Sequence, residues 1–244
     1  MSTSLLRLDG IGVDFGGVTA LREISFDVRP GGVHGVIGPN GAGKTTLINV
    51  ITGLVPASRG RMTFDGRQDG PWGMAVASRL GIARTFQTPR AFMNLPVGQN
   101  VDLALRAGVA REGSDPAWTD RVDSLFELTP LASRMARDLS YGELRRLSIA
   151  LSVLARPQLL LMDEPTVGLS KPEIQALEVL IRALRDEGVT IMLVEHNMPF
   201  LMSMADHVTV LANGALLFEG SPQACQESEL VIRAYLGEGL DVAG

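Results

Sequence analysis

Eight consecutive residues, Gly38-Pro39-Asn40-Gly41-Ala42-Gly43-Lys44-Thr45, have the types and spacing needed to hold a chain of phosphates. Glycines let backbone N–H groups turn inward around phosphate oxygens, which larger side chains would block. The run fits G-x-x-x-x-G-K-[ST], so Lys44 should reach the β- and γ-phosphates and the Thr45 hydroxyl should ligate Mg²⁺. Thr46, next along, is counted with the binding residues. A following helix would add about half a positive charge at its N-terminus, aimed at the same anion. Such a loop marks a nucleotide-binding protein without saying of which kind.

A second group of reactive side chains lies further on. Leu159-Leu160-Leu161-Met162-Asp163-Glu164 puts two acids at the C-terminal end of an apolar run. In open α/β sheets that edge is where ligands gather. Asp163 suits a Mg²⁺ shell, and Glu164 is placed to polarise an attacking water as a general base. The plainer alternative is a pair of loop acids after a core strand. In Leu139-Ser140-Tyr141-Gly142-Glu143-Leu144-Arg145-Arg146, Ser140 and Glu143 have the spacing of a capping box. A capped helix start beside a glycine can bind an anion, or it can be a helix cap and nothing more. A carboxylate at Glu143 would repel a phosphate there, a penalty largely offset if it caps the helix and pairs with Arg145 or Arg146.

These residues need a scaffold, and the hydropathy pattern supplies one. Val33 to Ile37 is an apolar run leading into the glycine loop, and Lys44 to Leu54 is helical in character. Leu159 to Met162 and Val189 to Val194 read as strands buried on both faces. Between them Ile174, Leu177, Leu180, Ile181 and Leu184 share one helical face, started by Ser170-Lys171-Pro172-Glu173. Strand, helix, strand predicts a parallel sheet with right-handed crossovers. Ile24, Phe26 and Val28, then Met62 and Phe64 before the Asp65-Gly66 turn, alternate as strands of an antiparallel sheet. Gln99 to Ala155 is helical, with a break at Gly113-Ser114-Asp115-Pro116, and reads as an inserted lobe. Val208–Leu211 and Ala215–Phe218 flank Asn213-Gly214 as a tight β-hairpin. The expected division is an α/β core over 1–87 and 156–220, a helical subdomain over 88–155, and a helical tail over 221–244.

Composition narrows the function classes. Across 244 residues, 45% are apolar, enough for a sizeable core, and the net charge of −5 leaves no general basic field for nucleic acid. Cys225 is the single cysteine, which rules out an internal disulfide and a cysteine-based metal site. The start of the chain lacks the pattern of a signal peptide. No window approaches the ~20 unbroken apolar residues of a membrane span.

Taken in order along the chain, these motifs resemble those of ABC-type ATPases, whose signature segment usually reads L-S-G-G-Q. The resemblance covers nearly the whole chain. It implies an α/β fold with a P-loop (RecA-like) core, an antiparallel β subdomain and an inserted helical subdomain, with ATP and Mg²⁺ as cofactors. Gln87 then sits where the family has the glutamine that senses Mg²⁺ and transport, as a metal ligand and catalytic residue. His196 sits at the γ-phosphate switch histidine, and Phe15 at the aromatic that stacks on adenine, unless Phe15 is an ordinary core aromatic at the sheet edge. Two positions depart from the pattern: Glu143 replaces the usual glutamine, and Ser170 stands where many members have aspartate. Tyr141, Arg145-Arg146, Arg84-Thr85-Phe86-Gln87 and the tail Val231-Ile232-Arg233-Ala234-Tyr235-Leu236-Gly237-Glu238 resemble the ATP-binding subunits of bacterial branched-chain amino acid importers. Similar subunits also serve urea and other small polar solutes.

The resemblance further implies a shared site. Lys44, Thr45, Gln87, Asp163, Glu164 and His196 of one subunit would face Ser140 and Gly142 of a second cassette, a second copy or a related paralogue. The pair would drive separate membrane permease subunits and, indirectly, serve a solute-binding protein, from the cytoplasmic face of the inner membrane, with no nucleic acid partner. The segment Thr88 to Asp102, with Pro89, Phe92, Met93, Leu95 and Pro96, is the candidate permease-facing surface, or else an ordinary interlobe connector. A non-transport ABC ATPase of repair or translation is the alternative; such proteins usually carry long coiled-coil or clamp regions or two cassettes. A GTPase would need an N-K-x-D segment, which is absent.

Overall fold

The computed structural model describes residues 4–66, 68–108 and 115–236. Gly113 and Ser114 of the expected break, and Gly237 and Glu238 of the tail, lie outside them. The chain forms two compact units, Met1–Leu80 with Met192–Gly244, and Gly81–Ile191.

In the first unit, β1 (Leu6–Phe15) and β2 (Val18–Val28) make a long antiparallel hairpin, with Leu6 opposite Val28, Leu8 opposite Phe26 and Phe15 opposite Val18. Alternation of buried and exposed side chains follows the expected period of two over Ile24, Phe26 and Val28, while Leu21 is buried out of step with them across a register shift. The fully buried strand β3 (Val33–Ile37) leads into the glycine loop, and α1 (Lys44–Ile51) follows it. The helix stops three residues before the expected Leu54. Gly53 lies in the left-handed region, and the Gly53 and Leu54 N–H groups donate to the Val50 and Asn49 carbonyls, a C-terminal motif that ends the helix. Strand β4 (Arg59–Phe64) pairs with β1, β5 (Gln68–Asp69) pairs with β4, and α2 (Met74–Leu80) closes the stretch.

The second unit holds β6 (Ile82–Arg84), α3 (Val97–Gly108), α4 (Pro116–Phe126), α5 (Tyr141–Val153), β7 (Leu159–Asp163) and α6 (Lys171–Asp186). The Asp115 side chain caps α4 by accepting from the Trp118 N–H, and the Trp118 indole donates to the Val153 carbonyl at 2.9 Å, fixing α4 on α5. Strand β6 runs parallel to β7, pairing Ile82 with Leu159 and Arg84 with Leu161. Within β8 (Thr190–Val194) the chain passes back to the first unit, where the strand order is β10-β9-β3-β8.

The remaining elements of the first unit are α7 (Met198–Met204), β9 (His207–Ala212), β10 (Ala215–Gly220), α8 (Pro222–Glu227) and α9 (Glu229–Leu236). Strand β9 is parallel to β3 and antiparallel to β10. Positive φ at both Asn213 and Gly214 makes the two-residue turn that the sequence predicts. Cys225, in α8, is completely buried. Among the described residues, no helix is long and apolar enough to cross a membrane.

Candidate functional site

In the first unit the glycine loop joins β3 to α1. Lys44 is buried, and its Nζ donates to the Gly38 carbonyl at 2.7 Å and the Pro39 carbonyl at 2.9 Å. The ammonium is thereby held against the loop it is expected to serve. A Cβ at Gly38 would lie 2.1 Å from the Leu211 carbonyl oxygen, so the loop passes too close to β9 for any side chain there. The hairpin turn after β9 buttresses the loop: the Gly214 N–H donates to the Ala42 carbonyl, and the Arg22 N–H donates to the Gly214 carbonyl. Tyr235 of α9 reaches the same place. Burial pushes its hydroxyl up to about 12, against a hydrogen bond from the Gly38 backbone that pulls it down. The Asn213-Gly214 turn and the tail are legible in the sequence, but their contact with the loop is not, because nothing local encodes it.

Phe15 ends β1 at the hairpin and is 49% exposed, so it is not a core aromatic. The backbone of Ala20, two residues past its cross-strand neighbour Val18, runs beside Gly43 of the loop. His196 is exposed just beyond β8. Its N–H and that of Asn197 both donate to one carboxylate oxygen of buried Glu195, at 3.0 and 3.2 Å. Asn197 in turn caps α7 through the Phe200 N–H. Glu195, unremarked in the sequence, therefore fixes the turn that displays His196.

In the second unit β7 ends on Asp163, and Glu164 follows in the left-handed region at φ 46, a costly conformation for a side chain of its size. Gln87 Nε2 donates to Glu164 Oε2 at 2.7 Å, bringing these two predicted residues together. Arg84 Nη2 donates to Asp163 Oδ2 at 2.8 Å, with the two side chains only 11% and 10% exposed. Arg84 also lies over the Phe86 ring, as does Arg90 at 3.7 Å.

At the start of α5 the capping box is present: Ser140 Oγ accepts from the Glu143 N–H, and Glu143 Oε2 accepts from the Ser140 N–H at 2.7 Å. The ion-pair expectation needs correction, because the partner of Glu143 is Arg134, at 2.6 Å from Oε1 and 3.3 Å from Oε2. Arg145, two positions on, points to a different helical face. It is buried and donates to backbone carbonyls, while Arg146 turns to Glu127. The Ser140 N–H first, and then Arg134, hold the Glu143 carboxyl below its ordinary range. A Cβ at Gly142 would lie 2.1 Å from Glu173 Oε1, so any side chain there would push the Glu173 carboxylate aside. Glu173 Oε2 accepts from the Ser170 N–H at 2.7 Å and from the Ser170 hydroxyl, so Ser170 opens α6 as expected.

Residues 21–167 match the family described as ABC transporter. The chain is 38% identical to the Pseudomonas aeruginosa high-affinity branched-chain amino acid transport ATP-binding protein BraF, over 98% of this chain and 100% of the relative. It is 36% identical to the corresponding Escherichia coli protein LivG over the same shares. Among solved structures, the ADP conformation of MJ1267, an ATP-binding cassette of an ABC transporter, superposes with a TM-score of 0.84 at 28% identity, covering 97% of this chain and all of that one. A nucleotide-free ATP-binding cassette from an ABC transporter superposes at 0.83 with 29% identity, over 96% of this chain and 99% of that one. With the phosphate loop, the paired acids and the capped signature segment in place, this chain belongs to the ABC transporter family, as an ATP-binding, ATP-hydrolysing subunit.

Proposed function

We propose that this subunit powers the import of branched-chain amino acids through separate membrane permease subunits, working as one of two cassettes that sandwich ATP. The observation that carries the chemical part is the Gln87–Glu164 hydrogen bond at the end of β7, beside Asp163. Lys44 and the loop N–H groups bind the phosphates, with Phe15 stacking on the base. Glu164 takes the proton of the attacking water, and Gln87 orients that carboxylate. His196 contacts the γ-phosphate, and Ser140 and Gly142 offer the α5 N-terminus to the nucleotide of the partner cassette.

Thr45, Gln87 and Asp163 would hold Mg²⁺. Hydroxyl, amide and carboxylate are all hard oxygen donors, as that ion prefers. Asp163 would be the one carboxylate of the set, an arrangement that ion accepts when substrate phosphates supply further oxygens. Held there by Thr45, Gln87 and Asp163, Mg²⁺ would supply positive charge to offset that of the phosphates. The cargo follows the names of the BraF and LivG relatives, which match nearly end to end. The segment from Thr88 to Asp102, where Phe92 and Met93 are exposed ahead of α3, would be the surface offered to the permease, with the subunit working peripherally from the cytoplasmic face of the inner membrane.

The test is Glu164→Gln. It should bind ATP as the wild type does and hydrolyse it roughly 10²–10⁴-fold more slowly; unchanged turnover would remove Glu164 from its role. Specific activity should rise with protein concentration if two cassettes complete the site. Cells lacking the chain should lose leucine uptake and regain it on complementation, while retained uptake would reassign the cargo.

A further inference from the structure

Arg145 is the largest of the deeply buried side chains, with 2% exposure, yet no carboxylate pairs with it among the described residues. Burying a guanidinium without a counter-ion is costly, and a packed apolar side chain would fill the same space more cheaply. Its charge is instead committed to backbone carbonyls and a tyrosine hydroxyl. Nη1 donates to the Phe86 carbonyl at 2.9 Å, and Nη2 donates to the Gln87 carbonyl at 2.6 Å. These two carbonyls bracket the peptide that carries the Gln87 side chain to Glu164.

Nη2 also donates to Tyr141 Oη at 2.7 Å, and the Tyr141 hydroxyl donates onward to the Val167 carbonyl at 3.2 Å. The Tyr141 ring meanwhile lies against Gly168. Tyr141 precedes Arg145 by one turn of α5, in the segment that displays Ser140 and Gly142. One planar cation thus joins the Gln87 turn, the first turn of α5 and the loop after Glu164.

We propose that Arg145, acting with Tyr141, is the positioning residue that makes Gln87, the start of α5 and the Val167–Gly168 turn move as one body. A displacement of Gln87 then carries the signature segment with it. A lysine could not replace the arginine, because a single ammonium lacks the planar fork that spans two carbonyls and a hydroxyl. The inference rests on the ATPase reading above, since Gln87 and the α5 start need coordination only if both serve one nucleotide cycle.

The full chain should be followed by hydrogen–deuterium exchange with and without AMP-PNP and Mg²⁺. In the wild type, protection at 38–46 should be accompanied by changes at 84–90, 139–146 and 166–170. In Arg145→Lys the loop should still respond and nucleotide affinity should hold, but the last two segments should no longer follow 84–90. Its kcat should fall about tenfold to a hundredfold with little change in KM, the cost of misplaced groups rather than lost binding. Tyr141→Phe keeps the ring on Gly168 and removes only the hydroxyl, so it decides the matter if the lysine variant misfolds. It should release 166–170 alone. Joint responses and wild-type turnover in both variants would overturn the proposal. A wild-type chain with no response at 38–46 would overturn the ATPase reading, and this inference with it.

Discussion

Replacing Arg134 with glutamine should impair turnover more than replacing Glu143 itself. The Glu143 carboxylate takes three hydrogen bonds, one from the Ser140 N–H and two from Arg134, with side chains 25% and 41% exposed. While Arg134 is present, the carboxylate is balanced and caps its helix. Without Arg134, an unbalanced negative charge remains at the first turn of α5, close to where a γ-phosphate is to be stabilised. Unit charges 4 Å apart interact by about 1–4 kcal/mol between bulk-water and surface dielectrics, and by about half that at twice the distance. A penalty of about 0.5–2 kcal/mol corresponds to a rate loss of roughly two- to thirtyfold. Stability should change less: a partly exposed pair contributes about 0.3–1 kcal/mol, or about 1–4 °C in Tm for a chain of this size. That contribution holds above the ordinary Glu value of 4.5 and is lost as pH falls through the lowered value in the folded protein. The assay is steady-state ATPase of Arg134→Gln, Glu143→Gln and the double variant at low and high salt. The first should be slow and recover with salt, while the second and the double should stay near wild type. Wild-type turnover in Arg134→Gln, or a double variant as slow as that single one, would refute the reasoning.

Gly38→Ala must displace the Leu211 carbonyl, so nucleotide affinity should fall at least about tenfold and Tm should drop, read by calorimetry and nucleotide titration. Phe15→Ala should weaken ATP binding while leaving Tm nearly unchanged, because the ring is already half exposed; equal binding would remove Phe15 from the base site. His34 is buried, and burial, reinforced by the nearby His207 charge, lowers its pKa to about 3. Between about pH 6.5 and 3 the unfolded chain takes a proton that the native state refuses, so acidification destabilises. The slope is up to about 1.4 kcal/mol per pH unit for one proton. His34→Gln should flatten the pH dependence of unfolding by up to that amount, and equal slopes would contradict it.

Local signals were enough for much of the scaffold. Apolar runs, the Asn213-Gly214 turn and the Ser140 and Ser170 caps are encoded within a few residues, and the observed strands and helix starts follow them. The α1 boundary falls short of the apolar pattern because Gly53 ends the helix more firmly than Leu54 extends it. Partners distant in sequence were not legible. Arg134 lies nine residues from Glu143 beyond an irregular stretch, and Arg84 meets Asp163 only because β6 pairs with β7. Arg145 misled for a physical reason, since a charged residue beside a helix start is ordinarily solvated and here is buried.

The burial of Cys225 has a practical consequence for watching this subunit work. Burial raises its thiol pKa, so the one native sulfhydryl is shielded and poorly ionised, and maleimide dyes should pass it by. Val18 is exposed and stands directly across the hairpin from Phe15. A Val18→Cys variant would therefore take a single fluorophore beside the expected adenine seat without deletion of the native cysteine, turning base occupancy into an optical signal.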